Sequence, residues 1–429
     1  MYPTYEEVKK IAAGGGYRRI PICREILADS FTTVEVMRIL RKASRHCYLL
    51  ESASQQETWG RFSFLGYDPT MEITCTDGDV TIRKTTVNGV AEEPEHMHIK
   101  HPGSVLRDVI NAHRSPQIEG QPPFTGGLVG YFSYDYIKYA EPKLNLGSHG
   151  DEDDFKDMDL MLFDKVIAFD HYRQKLIVIA GVAIPDEQYD EEDLKNSYRS
   201  ASFSIDETID LLRNGEKKEF APIKIRGEIK PVFDRDRYCK MVEKAKEYIQ
   251  EGDIFQVVLS DPLVAEAEGS LFDTYRILRA KNPSPYMFYF SSDDIELCGA
   301  SPETLVKITG GVGQTFPLAG TRPRGTTREE DEALEADLLS DEKELAEHNM
   351  LVDLGRNDMG KISRLGTVEV DRYMEVLRFS HVMHIGSTVV GQIAEDKDSI
   401  DAVDAILPAG TLSGAPKFRA CEIIEELEG

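Results

Sequence analysis

The stretch 340–360, SDEKELAEHNMLVDLGRNDMG, constrains this chain more than any other. Glu344, Glu347, His348 and Leu351 recur at i, i+3, i+4 and i+7, the spacing that places side chains on one face of an α-helix. Ser340 or Asp341 offers an N-cap, and Gly355 sits where such a helix is expected to end. Two carboxylates one turn apart suit a hard divalent cation such as magnesium, which takes oxygen ligands and keeps several waters. The same residues also read as a capping box, with Glu344 reaching back from the third helical position and with Glu347 and His348 as a solvated face. On the helix alone both readings stand.

Composition narrows the partners. With 76 acidic against 50 basic residues the formal net charge is -26, which repels nucleic-acid phosphates and anionic membrane surfaces. Some of the acid is local, in the runs 151–159 and 186–194, which read as solvated loops or helix starts. A chain this acidic needs a metal ion or aimed backbone amides to hold an anionic substrate. The six cysteines form no CxxC pair and no zinc spacing, so they read as reduced thiols of a cytoplasmic protein. The N-terminus has no apolar signal-peptide core, and no run approaches a membrane span.

Along the chain, 5–12 reads as a short helix, and 31–45 as a helix capped by Thr32 or Thr33 with Val34, Met37, Leu40 and Ala43 on one face. The run 61–90 alternates around Asp77-Gly78 and Asn88-Gly89, so hairpins are expected there. The segment 124–141 reads as a strand passing into a Tyr-rich strand or short helix, and 160–181 as two strands about a turn near 171–174. The interval 191–233, with one helix, a charged GEKKE and two prolines, divides the chain into regions 1–215 and 231–429. Beyond it Asp234 or Asp236 caps a helix with Tyr238, Val242, Ala245 and Ile249 inward, 254–267 reads as one strand, and 271–280 as a helix. Helices mixed with mostly antiparallel strands point to an α+β fold.

Four further stretches carry polar groups that local structure does not require. In TFPLAGTRPRG, Gly320 and Thr321 sit at a turn where backbone amides can approach an anion, although a plain β-turn has the same pattern. In RFSHVMHIGSTVV, Val382, His384 and Gly386 share a strand face, where a histidine is either an acid–base group or a satisfied core group. LPAGTLSGAPKFRACEII is a Gly-rich loop entering a helix near Pro416, without the Walker A spacing. GDIFQVVLS places Gln256 in mid-strand.

Taken in order, these motifs closely resemble the chorismate-utilising enzyme family over roughly 235–429. LLES at 49–52 and NPSPYMF at 282–288 are similar to its anthranilate synthase component I branch. The resemblance implies a large antiparallel two-sheet sandwich flanked by helices. It implies magnesium held by Glu344 and Glu347, chorismate contacted by Gly320 and Thr321, and an active-site hydroxyl at Thr411. His384 matches a histidine that assists departure of the ring hydroxyl and the later elimination. Ser52, Pro285, Tyr286 and Met287 match a tryptophan feedback pocket, with Glu51, Asn282 and Pro283 nearby.

The implied reaction makes anthranilate and pyruvate from chorismate, with ammonia from a glutamine amidotransferase subunit (component II) and inhibition by tryptophan. Magnesium would bring a dianionic substrate the positive charge that this chain lacks. Relatives that use a lysine nucleophile in a PIKGT-type motif have it where this chain has Ala319, which disfavours aminodeoxychorismate synthesis. Relatives that add water place a lysine base at the position of Gln256, which disfavours isochorismate synthesis. By the same resemblance an RGxYGGAxGY-type strand, a carboxylate-gripping arginine and a second glutamate pair are expected after the terminal EIIEELEG. On that expectation the chain is C-terminally incomplete. It is then weakly active or inactive alone, or a fragment that retains tryptophan or partner binding.

Overall fold

Runs rich in β-branched and aromatic residues build the sheets of this chain, and where such strands are covered on both faces they lose their alternation. The computed structural model describes residues 1–52, 60–85, 91–144, 146, 155–184, 190–379 and 381–429. The expected turn at Asn88-Gly89 and much of both acidic runs lie outside the described residues.

The chain forms two compact units from interleaved stretches, Met1–Phe132 with Lys156–Lys224 and Glu268–Ser301, and Ser133–Phe155 with Ile225–Ala267 and Pro302–Gly429. In the first unit a seven-stranded antiparallel sheet runs in the order Arg19–Leu27, Lys175–Ala183, Lys165–Asp170, Phe62–Tyr67, Cys47–Glu51, Tyr286–Ser291, Glu296–Ser301. Lys175–Ala183 is buried almost throughout because both sides are covered. On one side pack Val36, Met37 and Leu40 of helix Thr33–Ala43 and Ile205, Ile209 and Leu212 of helix Glu191–Asn214. On the other, Tyr48 and Phe290 meet Met161 and Phe163 of a second, five-stranded sheet. Each large apolar side chain buried this way contributes about 1.5–3 kcal/mol. This is the α+β architecture of packed antiparallel sheets and flanking helices that the sequence suggests.

The second unit centres on the strand Val382–Gln392, which pairs antiparallel with Val312–Thr315, Leu318–Pro323 and Glu369–Arg378. Alternate residues Met383, Ile385 and Val389 are fully buried, and Met383 and Ile385 pack with Leu338 of helix Arg328–Ser340. Helix Glu342–Ile362 lies against this sheet, with Val352, Met359 and Ile362 in a core shared with Val389 and Ile406.

Three local expectations are corrected. The helix does not end at Gly355; it runs on to Ile362, because Met359 and Ile362 supply a further buried turn. Gly355 instead permits close approach, since a Cβ there would stand 3.3 Å from Thr315 Cγ2. Helix Arg235–Glu251, capped by Asp234, buries Met241, Ala245 and Tyr248, leaving Val242 and Ile249 exposed. The terminal helix Lys417–Glu428 selects that face, for Tyr248 packs with Ala420 and Ile423 and its hydroxyl donates to Glu426 at 2.6 Å. The stretch 254–267 is two strands, Gln256–Val257 and Leu263–Glu268, separated around Asp261 and Pro262. Among the described residues no helix is long and apolar enough to cross a membrane.

Candidate functional site

The strand Leu318–Pro323 carries the first part of the site. Its register against Val382–Gln392 shifts between Ala319, opposite Ile385, and Thr321, opposite His384. Gly320 is therefore the extra residue of a β-bulge, with φ +81 in the left-handed region that favours glycine. The bulge aims Thr321 at the histidine. Thr321 Oγ1 lies 2.9 Å from His384 Nδ1, and the Gly320 carbonyl oxygen lies 3.3 Å from the same nitrogen. A carbonyl only accepts, so Nδ1 carries the proton and Nε2 keeps its lone pair. Burial holds His384 below the ordinary histidine range, with the Gly320 carbonyl opposing that shift. The neutral ring is the resting form.

Helix Glu342–Ile362 brings the carboxylates to this bulge. Asp341 is its N-cap and accepts from the Lys343 and Glu344 amides at 3.0 and 3.3 Å. Glu344 does not return the bond, so the reciprocal half of a capping box is not what occupies it. Its carboxylate instead faces Gly320, where an added Cβ would stand 3.4 Å from Glu344 Oε2. Arg322 Nη1 is 3.5 Å from Glu344 Oε1. Glu347, one turn on, is half-buried. Among the described residues no group of three or more His, Cys, Asp or Glu side chains is placed to hold a metal ion. Glu344 and Glu347 stand one turn apart on this helix.

His348, on the same helix face, is fully buried, with Nε2 2.7 Å from Ser387 Oγ. The Ser387 hydroxyl accepts from the Met374 amide at 3.0 Å, and the Ser387 amide donates to the Pro317 carbonyl at 3.1 Å. The histidine thus ties the carboxylate helix to the strand behind the bulge.

Thr411 lies in the short 3-10 turn Gly410–Leu412, and its hydroxyl donates to Glu303 at 3.1–3.2 Å. Glu303 and Thr411 line one cavity together with Leu351, Gly355 and Asp358 of the carboxylate helix. Burial raises Glu303 above the usual carboxylate range, with the Thr411 bond opposing. Beside it Lys417 donates to Asp358 at 2.6 Å and to the Ile406 carbonyl at 2.9 Å, joining three helices around the Thr411 turn. Gln256 pairs with Ala415 at the end of that turn.

Sequence reasoning did not single out Glu303 or Arg322. Glu303 follows Ser-Pro after an apolar strand, a charged residue where only a turn is needed, and that was the available signal. Arg322 lies inside the stretch TFPLAGTRPRG, but its partners come from three separate elements.

In the first unit the structure brings together 47–51 and 286–291, pairing Glu51 with Met287. Glu51 is buried and accepts from Thr33 at 2.7 Å, Tyr275 at 2.6 Å and Arg279 at 3.0 Å. Ser52 follows directly, Tyr286 opens the facing strand, and Asn282, Pro283 and Pro285 connect it to helix Phe272–Lys281.

A family profile described as chorismate binding enzyme matches residues 45–429. The chain belongs to that family. It is 41% identical to anthranilate synthase component 1 of Acetivibrio thermocellus over 100% of this chain and 85% of that protein. The anthranilate synthase component 1 of Pseudomonas aeruginosa is also 41% identical, over 99% of this chain and 84% of its own length. The crystal structure of anthranilate synthase component I from Streptococcus pneumoniae matches with a TM-score of 0.69 at 38% identity, covering 86% of this chain and 77% of that one. The menaquinone-specific isochorismate synthase of Escherichia coli shares the fold at 15% identity, with a TM-score of 0.63 over 99% of this chain and 83% of that one. Within the family, this chain is an enzyme of the anthranilate synthase component I kind.

Proposed function

We propose that this chain converts chorismate and ammonia to anthranilate and pyruvate. The observation that carries the reading is the bulge at Gly320, which sets Thr321 against His384 while the Glu344 carboxylate lies close to the same residue. Ammonia adds at C2 of the ring as the C4 hydroxyl leaves. Glu303, whose carboxyl burial raises and which shares a cavity with Thr411, is the group we assign to give the leaving oxygen its proton. His384, neutral and with Nδ1–H tied to the Gly320 carbonyl, removes the C2 proton through Nε2 as pyruvate is eliminated and the ring becomes aromatic. Gly320 and Thr321 present the polar backbone and hydroxyl that orient the substrate. Glu344 and Glu347 are the residues that would hold a magnesium ion, which when bound would supply Lewis-acid chemistry to a substrate carboxylate.

Two finer features belong to the same reading. The words "component 1" in the relatives' names support a partner subunit, for which we assign an amidotransferase that delivers ammonia. The segments 51–52 and 282–287, brought side by side, form the tryptophan-binding region. Product identification by mass spectrometry tests the whole. Anthranilate from chorismate, Mg2+ and ammonium is expected, whereas aminodeoxychorismate, isochorismate or no product from the intact protein overturns it. Dependence of glutamine-driven turnover on a second subunit, and saturable tryptophan binding, check the two finer features.

A further inference from the structure

Arg322 touches both halves of the candidate site. Its Nη1 donates to the carbonyl of Thr321 at 2.9 Å and stands 3.5 Å from Glu344 Oε1. Its Nε donates to Asp337 at 2.7 Å on helix Arg328–Ser340, and its Nη2 to Asp341, the N-cap of the carboxylate helix, at 2.7 Å. Only a planar fork of five donors reaches four acceptors arranged in this way. The guanidinium is mostly covered, at 19% side-chain exposure, while Asp337 at 63% is open to water.

We propose that Arg322 is a positioning residue that fixes the Thr321 backbone and the Glu344 carboxylate in one geometry through the Asp337 and Asp341 anchors. This rests on the functional reading above. The strand then cannot shift relative to the helix start without breaking the contacts to Asp341 and Glu344. Substrate contact and carboxylate placement are set together by a single cation that never meets the reacting atoms.

The test is Arg322→Lys in the full chain, which keeps the charge and so preserves folding but cannot hold the fork. Mn2+ binding, followed by electron paramagnetic resonance, is expected to weaken about tenfold or more, as for loss of an outer partner of a metal ligand. The KM for chorismate is expected to rise with it. Asp337→Asn removes one anchor without touching Thr321 or Glu344, and is expected to move both quantities in the same direction by less. Lower melting temperature or kcat with unchanged Mn2+ affinity and KM would show a merely structural arginine and overturn the proposal. Absence of Mn2+ binding in the unsubstituted chain would overturn the metal reading instead. The KM of the two variants would then decide the proposal: a rise supports it and an unchanged value overturns it.

Discussion

Thr321 Oγ1 stands 2.9 Å from His384 Nδ1 across two antiparallel strands, and the residue before Thr321 is the bulge that lets them meet. The contact fixes one nitrogen of the ring and frees the other. Replacing His384 by alanine should lower kcat by about 10²–10⁴-fold, the usual range for a general base, with chorismate affinity nearly kept. Single-turnover kinetics beside equilibrium binding of a chorismate analogue would check this. Unchanged turnover would remove His384 from the chemistry.

The pH profile carries a second expectation. His384 must be neutral, and burial lowers it from 6.5. Glu303 must be protonated, and burial raises it from 4.5. The two shifts bring the working forms toward overlap, so turnover should follow a bell. Activity falls on acidification as His384 takes a proton, and on alkalinisation as Glu303 loses one. Glu303→Gln should remove the alkaline limb and His384→Gln the acid limb. A profile unaltered by Glu303→Gln would place the acid elsewhere.

Gly320→Ala tests the bulge. The added methyl must adopt φ +81 and meet Ile385 Cδ1 at 3.1 Å and Glu344 Oε2 at 3.4 Å. The left-handed conformation alone costs an L-residue about 1–2 kcal/mol. We expect that loss in denaturant unfolding, together with a raised KM for chorismate. A variant as stable and as tight as the original would mean that the bulge relaxes freely.

The buried pair Lys417–Asp358 invites a double-mutant cycle. The side chains are 11% and 5% exposed, and burial is the leading influence on both, raising Asp358 and lowering Lys417. Desolvation therefore outweighs the attraction. Lys417→Met or Asp358→Leu alone should cost about 3–5 kcal/mol by stranding the partner, and the double replacement markedly less. Strict additivity in urea unfolding would contradict the coupling.

Much of this was legible in the sequence because its signals are local. The i, i+3, i+4 spacing of Glu344, Glu347 and His348 locates the carboxylate helix, and alternation puts His384 on a strand face. The Thr321–His384 contact was not legible, because a one-residue bulge leaves no trace in a hydrophobic pattern. Helix Arg235–Glu251 shows the same limit, since Val242 and Met241 are both apolar and only the packing of Tyr248 on the terminal helix chooses between them. Gly355 reads as a helix stop until the buried turn beyond it is taken into account. Glu303 acquires its raised carboxyl from burial, and its hydrogen-bond partner Thr411 lies 108 residues away in the chain.

Glu51 offers a last expectation, in the other unit. Both its oxygens are in use, Oε1 accepting from Thr33 and Arg279 and Oε2 from Tyr275, so the carboxylate anchors the strand end rather than offering itself to a ligand. It thereby sets where Ser52 leaves the sheet beside Met287. Glu51→Ala should destabilise by about 1–3 kcal/mol, through the charged hydrogen bonds lost and the donors left behind. Ser52→Ala should leave stability within about 0.5 kcal/mol, since it removes one small group from a strand end. If the tryptophan reading holds, Ser52→Ala weakens tryptophan directly while Glu51→Ala weakens it only in proportion to the disorder it causes. Calorimetric titration of tryptophan beside thermal unfolding separates the two. Equal loss of affinity in both variants at unchanged stability would instead make Glu51 a direct ligand, and its three donors would then have to release it on binding.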